Sequence, residues 1–247
     1  KYLDLYRDCA FTSCPVEKRH PWQIDFSEFN YDRKEMLKGY FAATSALDLG
    51  VGEIREELRR LNLDRDTLIL FSSDNGFNCG HHGIWGKGNG TFPLNMYDSS
   101  VKVPFIMCHK GHIPENQVCD EMHSGYDFMP TLLEYLGFEN DEADELPGKS
   151  FLPALMGQEH KNEDGRVVVF DEYGPVRMIR SRKYKLVHRY PYGPDEFYDL
   201  EADPGETHNG IEDEQYQEMI QDMKKQMELW FLQYVDPRID GAKEPVM

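Results

Sequence analysis

The sequence predicts an α/β fold with a smaller antiparallel sheet appended, on three observations. Two short, continuously apolar runs, LILF at 68–71 and VPFIMCH at 103–109, are flanked by turn residues, as buried strands of a parallel sheet are. A long helical pattern precedes the first run. After about residue 160, four strand-like segments crowd together, and the chain closes on a second amphipathic helix.

Taken in order, residues 1 to 30 mix Cys, Pro, His and aromatics without a sustained period and read as a long surface connection. From Tyr31, apolar residues at Met36, Leu37, Tyr40, Phe41, Leu47, Val51, Ile54, Leu58 and Leu61 recur at helical spacing, with Arg, Glu and Lys between them. One long helix is predicted there, with Gly50 and Gly52 as its weak points. LILF and VPFIMCH follow as strands. In SGYDFMPTLLEYLG (124–137), Ser124 and Asp127 have capping-box spacing, Pro130 falls in the first turn, and Gly137 ends the helix. The acidic ENDEADELPG is an exposed loop.

RVVVFDEY, VRMIRS, YKLVHRY and EFYDL are separated by Gly, Pro or charged turns, which favours consecutive antiparallel pairing. The stripe Tyr216, Met219, Ile220, Met223, Met227, Trp230, Phe231 and Tyr234 then predicts a helix lying on that sheet. The expected organisation is a core part over 1–165 and a small α+β subdomain over 166–247.

Composition narrows the function. With 45 acidic against 27 basic residues, the formal charge of the 247-residue chain is -18, which disfavours nucleic acid as a partner. No apolar run reaches membrane-spanning length. The five cysteines are odd in number and lack metal-ligand spacing, so they read as free thiols, with a Cys9–Cys14 bridge as the alternative.

Asp74 and Asn75 sit where LILF ends, just past Ser72 and Ser73, and ligand sites of open α/β sheets gather at such strand ends. A carboxylate beside an amide carbonyl offers the hard oxygen donors that calcium or magnesium takes, although Asp-Asn-Gly is also ordinary turn chemistry. Lys87 lies among glycines that let backbone approach a ligand, and its ammonium suits a tetrahedral anion; a solvated surface lysine is the alternative. His81 and His82 add possible hydrogen-bond donors.

DTLILFSSDNG, GHHGIWGKGNGTFPLNMYDSSVKVPFI, SGYDFMPTLLEYLG, LPGKS and EFYDLEADPGETHN occur in this order. Together they resemble the carboxyl-terminal half of the sulfatase family, in the alkaline-phosphatase-like superfamily, over roughly residues 31–235. The segment RDCAFTSCPVEKRHPW is similar to a connection in bacterial members. The resemblance implies a mostly parallel sheet with flanking helices and a sulfuric ester hydrolase activity. It implies that Asp74 and Asn75 ligate a divalent metal, usually Ca2+ with Mg2+ as the alternative, and that Lys87 contacts the sulfate. It places His82 near the pocket and gives EFYDLEADPGE a structural role. The implied substrate is a sulfated small molecule or carbohydrate.

The family's nucleophile, a formylglycine made within Cys/Ser-x-Pro-x-Arg, has no counterpart here, and Cys14-Pro15-Val16-Glu17-Lys18 does not fit that pattern. The expectation is therefore a carboxyl-terminal fragment, inactive alone, whose partner is the missing amino-terminal half of the same protein. Any export signal would lie upstream, leaving a cytoplasmic or a periplasmic, exported location equally open. The competing readings are a phosphate-ester or phosphonate hydrolase of the same superfamily, and a non-catalytic module that binds metal or a partner.

Overall fold

The computed structural model describes residues 1–25, 32–158, 165–171, 175–191 and 193–243, which divide into two compact units, Lys1–Ile113 and Pro114–Met247. The first unit opens with one helical turn, α1 (Tyr2–Leu5), and continues into the 28-residue α2 (Arg33–Arg60). Asp32 caps α2 by accepting the Glu35 N–H at 3.1 Å. The expected start at Tyr31 lies outside the described residues. α2 runs unbroken through Gly50 and Gly52, where an added Cβ would meet nothing within 4 Å.

Only the first half of the α2 stripe is covered. Leu37 and Ala42 are buried, whereas Leu47, Ile54 and Leu61 are 53%, 60% and 47% exposed. A period identifies which face is apolar but not what packs on it. The cover over the first half comes from residues 1–25, expected to be a surface connection. Phe11 and Cys14 are buried there with Leu37 and Cys79, the Phe11 and Phe41 rings are 5.3 Å apart, and the Tyr6 and Ser45 hydroxyls are 2.6 Å apart. Irregular backbone has no periodicity from which such burial could be read. All five cysteines are free thiols, including Cys9 and Cys14. Burial pushes the Cys79 thiol up to about 12, with the neighbouring Cys14 thiol adding to the shift, so it stays protonated and inert.

Next come β1 (Ile69–Ser72), the two-residue strands β2 (Asn78–Cys79) and β3 (Trp85–Gly86), the turn α3 (Asp98–Val101) and β4 (Phe105–Cys108). The α/β class stands, but β1 and β4 pair antiparallel, Ile69 opposite Cys108 and Ser72 opposite Phe105. A parallel return needs a crossover laid across the sheet face. The chain between these strands instead forms a hairpin and short turns beyond the end of β1. The pair is also less buried than continuous apolar runs imply, with Leu70, Phe105 and Ile106 at 38%, 43% and 59% exposure.

In the second unit, Ser124 and Asp127 form the expected capping box ahead of α4 (Phe128–Leu136), and Gly137 at φ 76° closes it in the left-handed region. The one-turn α5 (Leu152–Leu155) follows. β5 (Val167–Phe170), β6 (Val176–Arg180), β7 (Tyr184–Arg189) and β8 (Glu196–Asp199) then form one antiparallel sheet in chain order. α6 (Gln217–Tyr234) supplies Ile220, Met223, Met227 and Phe231 to a core with Val168, Ile179, Leu186 and Phe197, as the stripe predicts. The Tyr126 hydroxyl accepts the Val168 N–H at 3.2 Å, and its ring lies 5.9 Å from Trp230. The segment before α4 thus packs with the sheet and α6, and residue 165 falls inside the second unit. No helix among the described residues is long and apolar enough to cross a membrane.

One turn of this unit gives a pH dependence. Partial burial acts to raise the Asp203 carboxyl, but the His208 and Thr207 N–H groups and the Thr207 hydroxyl outweigh it and hold the carboxyl below its ordinary range. A depressed folded-state value contributes stability above the unfolded carboxylate pKa of about 3.9, and that contribution is lost as pH falls through the folded value. Urea unfolding of Asp203→Asn is therefore expected to show a shallower acid-side loss than the parent. Equal slopes would remove Asp203 from the account.

Candidate active site

The candidate site begins where β1 ends. Beyond Ser72 the backbone turns, and the Ser73 hydroxyl donates to the Asn75 carbonyl at 3.0 Å while the Asn75 N–H donates to Asp74 Oδ1 at 2.9 Å. Gly76 makes the turn possible. A Cβ there would sit 2.2 Å from the Ser99 carbonyl oxygen, and the Gly76 N–H donates to the Ser100 carbonyl at 2.9 Å. The turn is thereby pinned to α3, with Asp74 and Asn75 presented together at the strand end. The Asn75 Nδ2 donates to the Gly76 carbonyl at 2.8 Å, and among the described residues Oδ1 accepts no hydrogen bond.

β2 and β3 form a short hairpin, Asn78 opposite Gly86 and Cys79 opposite Trp85, and Lys87 leaves it on the return. Its Nζ comes 3.7 Å from Asp74 Oδ2, with the two side chains 49% and 78% exposed. Limited desolvation acts to raise the Asp74 carboxyl. The Asn75 N–H, the Lys87 charge and the Ser73 hydroxyl outweigh it and hold the carboxyl below its ordinary range. An ion pair this exposed adds little to stability. Its significance is positional: the chain between residues 74 and 87 returns a cation to the end of β1.

A buried polar network holds that return, and none of its members was singled out from sequence. Asn78, fully buried, donates from Nδ2 to the Gly86 carbonyl at 3.0 Å and to Ser100 Oγ at 2.6 Å. The Ser100 hydroxyl donates to Asn95 Oδ1 at 2.7 Å, and Asn95 Nδ2 donates to the Gly88 carbonyl at 3.0 Å and to Thr91 Oγ1 at 3.1 Å. A glycine-rich loop that packs must satisfy its own backbone groups, and amide side chains within it are the usual means. Asn78 between Phe77 and Cys79 was the available signal.

The amino-terminal segment braces the other face of the hairpin. The Trp85 N–H donates to Gln23 Oε1 at 2.7 Å, the His20 N–H to the Gly83 carbonyl at 3.1 Å, and the Phe92 N–H to the Trp22 carbonyl at 2.9 Å. A Cβ on Gly83 would fall 1.8 Å from the Lys18 carbonyl oxygen, so side chains are excluded where the two backbones meet. His82 sits at the hairpin tip with φ 57°, its ring stacked on Tyr97 at 3.7 Å and 8°. The structure thus brings Asp74, Asn75 and Lys87 together and fixes His82 by a separate contact. A cleft of about 340 Å³, lined by Arg19, Arg33, Ile84 and Trp85 among others, includes none of these four. The candidate site is an open surface at the end of β1.

Two family profiles match the chain: sulfatase over residues 11–138, and N-sulphoglucosamine sulphohydrolase, C-terminal, over residues 80–231. The chain is 31% identical over 226 residues to choline-sulfatase of Rhizobium meliloti (strain 1021), which covers 85% of this chain and 42% of that protein. A solved structure described as a complex with its substrate D-glucosamine-2-N,6-O-disulfate is similar with TM-score 0.73 and 26% identity, over 86% of this chain and 43% of the other. The phosphonate monoester hydrolase of Agrobacterium radiobacter is similar with TM-score 0.70 and 25% identity, over 83% and 43%. The chain therefore spans less than half the length of each of these proteins.

Proposed function

The chain belongs to the sulfatase family, and from that premise we propose that it supplies the anion- and cation-holding part of a sulfuric ester hydrolase site. The observation that carries this reading is the approach of Lys87 Nζ to within 3.7 Å of Asp74 at the exposed end of β1. Lys87 is assigned to the sulfate: its ammonium donates to a non-bridging oxygen and offsets the charge that grows there as the ester bond breaks. Asp74 Oδ2 and Asn75 Oδ1 are assigned to a divalent cation, with calcium preferred and magnesium the alternative.

The donor set fits such an ion, because a carboxylate and an amide oxygen that accepts no hydrogen bond among the described residues are both hard ligands. Two oxygens are fewer than the six to eight that calcium takes, so the remaining ligands are proposed to come from outside this chain. When bound, the ion would add Lewis-acid stabilisation of the sulfuryl oxygens. His82, its ring held flat on Tyr97, is assigned a contact to the substrate. No Cys/Ser-x-Pro-x-Arg occurs in the 247 residues, so the nucleophile, a formylglycine, is assigned to an amino-terminal half outside this sequence. The proposed substrate is a sulfated small molecule or carbohydrate, supported by the similarity to choline-sulfatase and to the glucosamine disulfate complex.

The similarity to a phosphonate monoester hydrolase favours one second reading, an ester or phosphonate hydrolase on the same scaffold. One assay separates the possibilities. The chain alone, with calcium, is expected to leave a chromogenic aryl sulfate unhydrolysed. The same residues within a protein of the relatives' length, matured by a formylglycine-generating enzyme, are expected to cleave it faster than the matching aryl phosphonate. Chelator-sensitive turnover by the chain alone would overturn the half-site assignment. Faster cleavage of the phosphonate would select the second reading.

A further inference from the structure

Residues 117–124 lead into α4 without helical or strand pairing. The chain bends at Glu121, so Cys119, Glu121 and His123 at i, i+2 and i+4 can converge instead of spreading along an extended run. They do: the thiol, a carboxylate oxygen and an imidazole nitrogen all lie within 4.8 Å of one another. Cys119 Sγ is 3.7 Å from His123 Nε2. A tetrahedral zinc ion with bonds of about 2.3 Å to sulfur and about 2.0–2.1 Å to nitrogen would separate those two atoms by roughly 3.5 Å. The observed spacing is close to that edge.

A second observation points to a cation. Glu121 Oε2 is buried and has no hydrogen-bond partner among the described residues. A buried acceptor without a donor is costly, and a metal ion would satisfy it. The intervening residues are engaged elsewhere. The Asp120 carbonyl accepts from Arg182 at 3.0 Å, and Met122 Sδ lies 2.6 Å from the Arg180 guanidinium. The His123 ring packs on the buried Phe151 with centroids 4.5 Å apart, and the next residue, Ser124, belongs to the capping box of α4.

We propose that Cys119, Glu121 and His123 form a zinc-class metal site, with three protein ligands and a fourth position open to water. Thiolate and imidazole select zinc or cobalt over calcium, which takes six to eight oxygens. The site is independent of the assignment of Asp74 and Asn75.

Cobalt(II) titrated into the chelator-treated chain provides the test. One equivalent is expected to give tetrahedral visible bands and a near-ultraviolet thiolate band, both removed by zinc. Cys119→Ser is expected to remove the thiolate band, and Glu121→Gln and His123→Ala each to weaken binding by about 10-fold or more. Circular dichroism confirms that the variants remain folded, and Asp74→Asn is expected to leave the spectrum unchanged. A parent chain without the thiolate band, or a band that survives Cys119→Ser, would overturn the proposal.

Discussion

Replacing Lys87 by alanine in the formylglycine-bearing protein is expected to lower kcat/KM for an aryl sulfate by about 10²–10³-fold, the loss typical of removing one preorganised charge-stabilising donor. The loss should fall mainly on kcat, because the charge that Lys87 offsets grows as the ester bond breaks. Stability should hardly change: Lys87 and Asp74 are 49% and 78% exposed, and pairs of that kind contribute little. The variant therefore separates chemistry from folding, since an unchanged melting temperature with a large loss of turnover is the expected pair of results. Lys87→Arg keeps the charge but spreads it over a planar fork and is expected to restore only part of the rate. Activity of Lys87→Ala within threefold of the parent would remove the lysine from the site.

The sequence made that lysine legible through order rather than pattern. Lys87 alone is one ammonium among glycines, and only the run from LILF through DNG to GKGNG gives it a place beside Asp74. The structure adds the physical reason: the β2–β3 hairpin reverses the chain so that residue 87 returns to residue 74. The network that holds the reversal was not legible. Asn95 and Ser100 are polar residues in a polar loop with nothing to mark them as buried, and Asn78 carries only the hint of its apolar neighbours Phe77 and Cys79.

Features with a local cause are legible in the sequence. The capping box of Ser124 and Asp127, the stop at Gly137 and the four consecutive strands all follow from short-range chemistry. The antiparallel pairing of β1 with β4 depends on how the intervening chain packs, which an apolar run does not encode. The exposed half of α2 likewise depends on what lies against it. Its apolar face, with that of the β1–β4 pair, is where the proposed amino-terminal half would find cover.

The largest stability effect is expected where the sequence promised only a structural role, in EFYDLEADPGE. Glu206 is buried at φ 52°, and its carboxylate accepts from the ammonium of Lys185, a β7 residue with no exposed surface. Two charges withdrawn from water in this way are costly to bury, and each is tolerated through the other. Glu206→Ala leaves the Lys185 ammonium in the interior without that carboxylate and is expected to cost about 3–5 kcal/mol. Urea unfolding monitored at Trp230, whose indole packs with Phe170 and Phe231 beside the same sheet, reads the loss directly. The double variant Lys185→Met, Glu206→Leu removes both charges and keeps most of the volume, so it should recover most of what Glu206→Ala loses. Such a recovery would show that the cost lies in the stranded charge rather than in a lost contact. If the single variant costs less than about 1 kcal/mol, as an exposed pair does, the pair is hydrated in solution and does not anchor the turn.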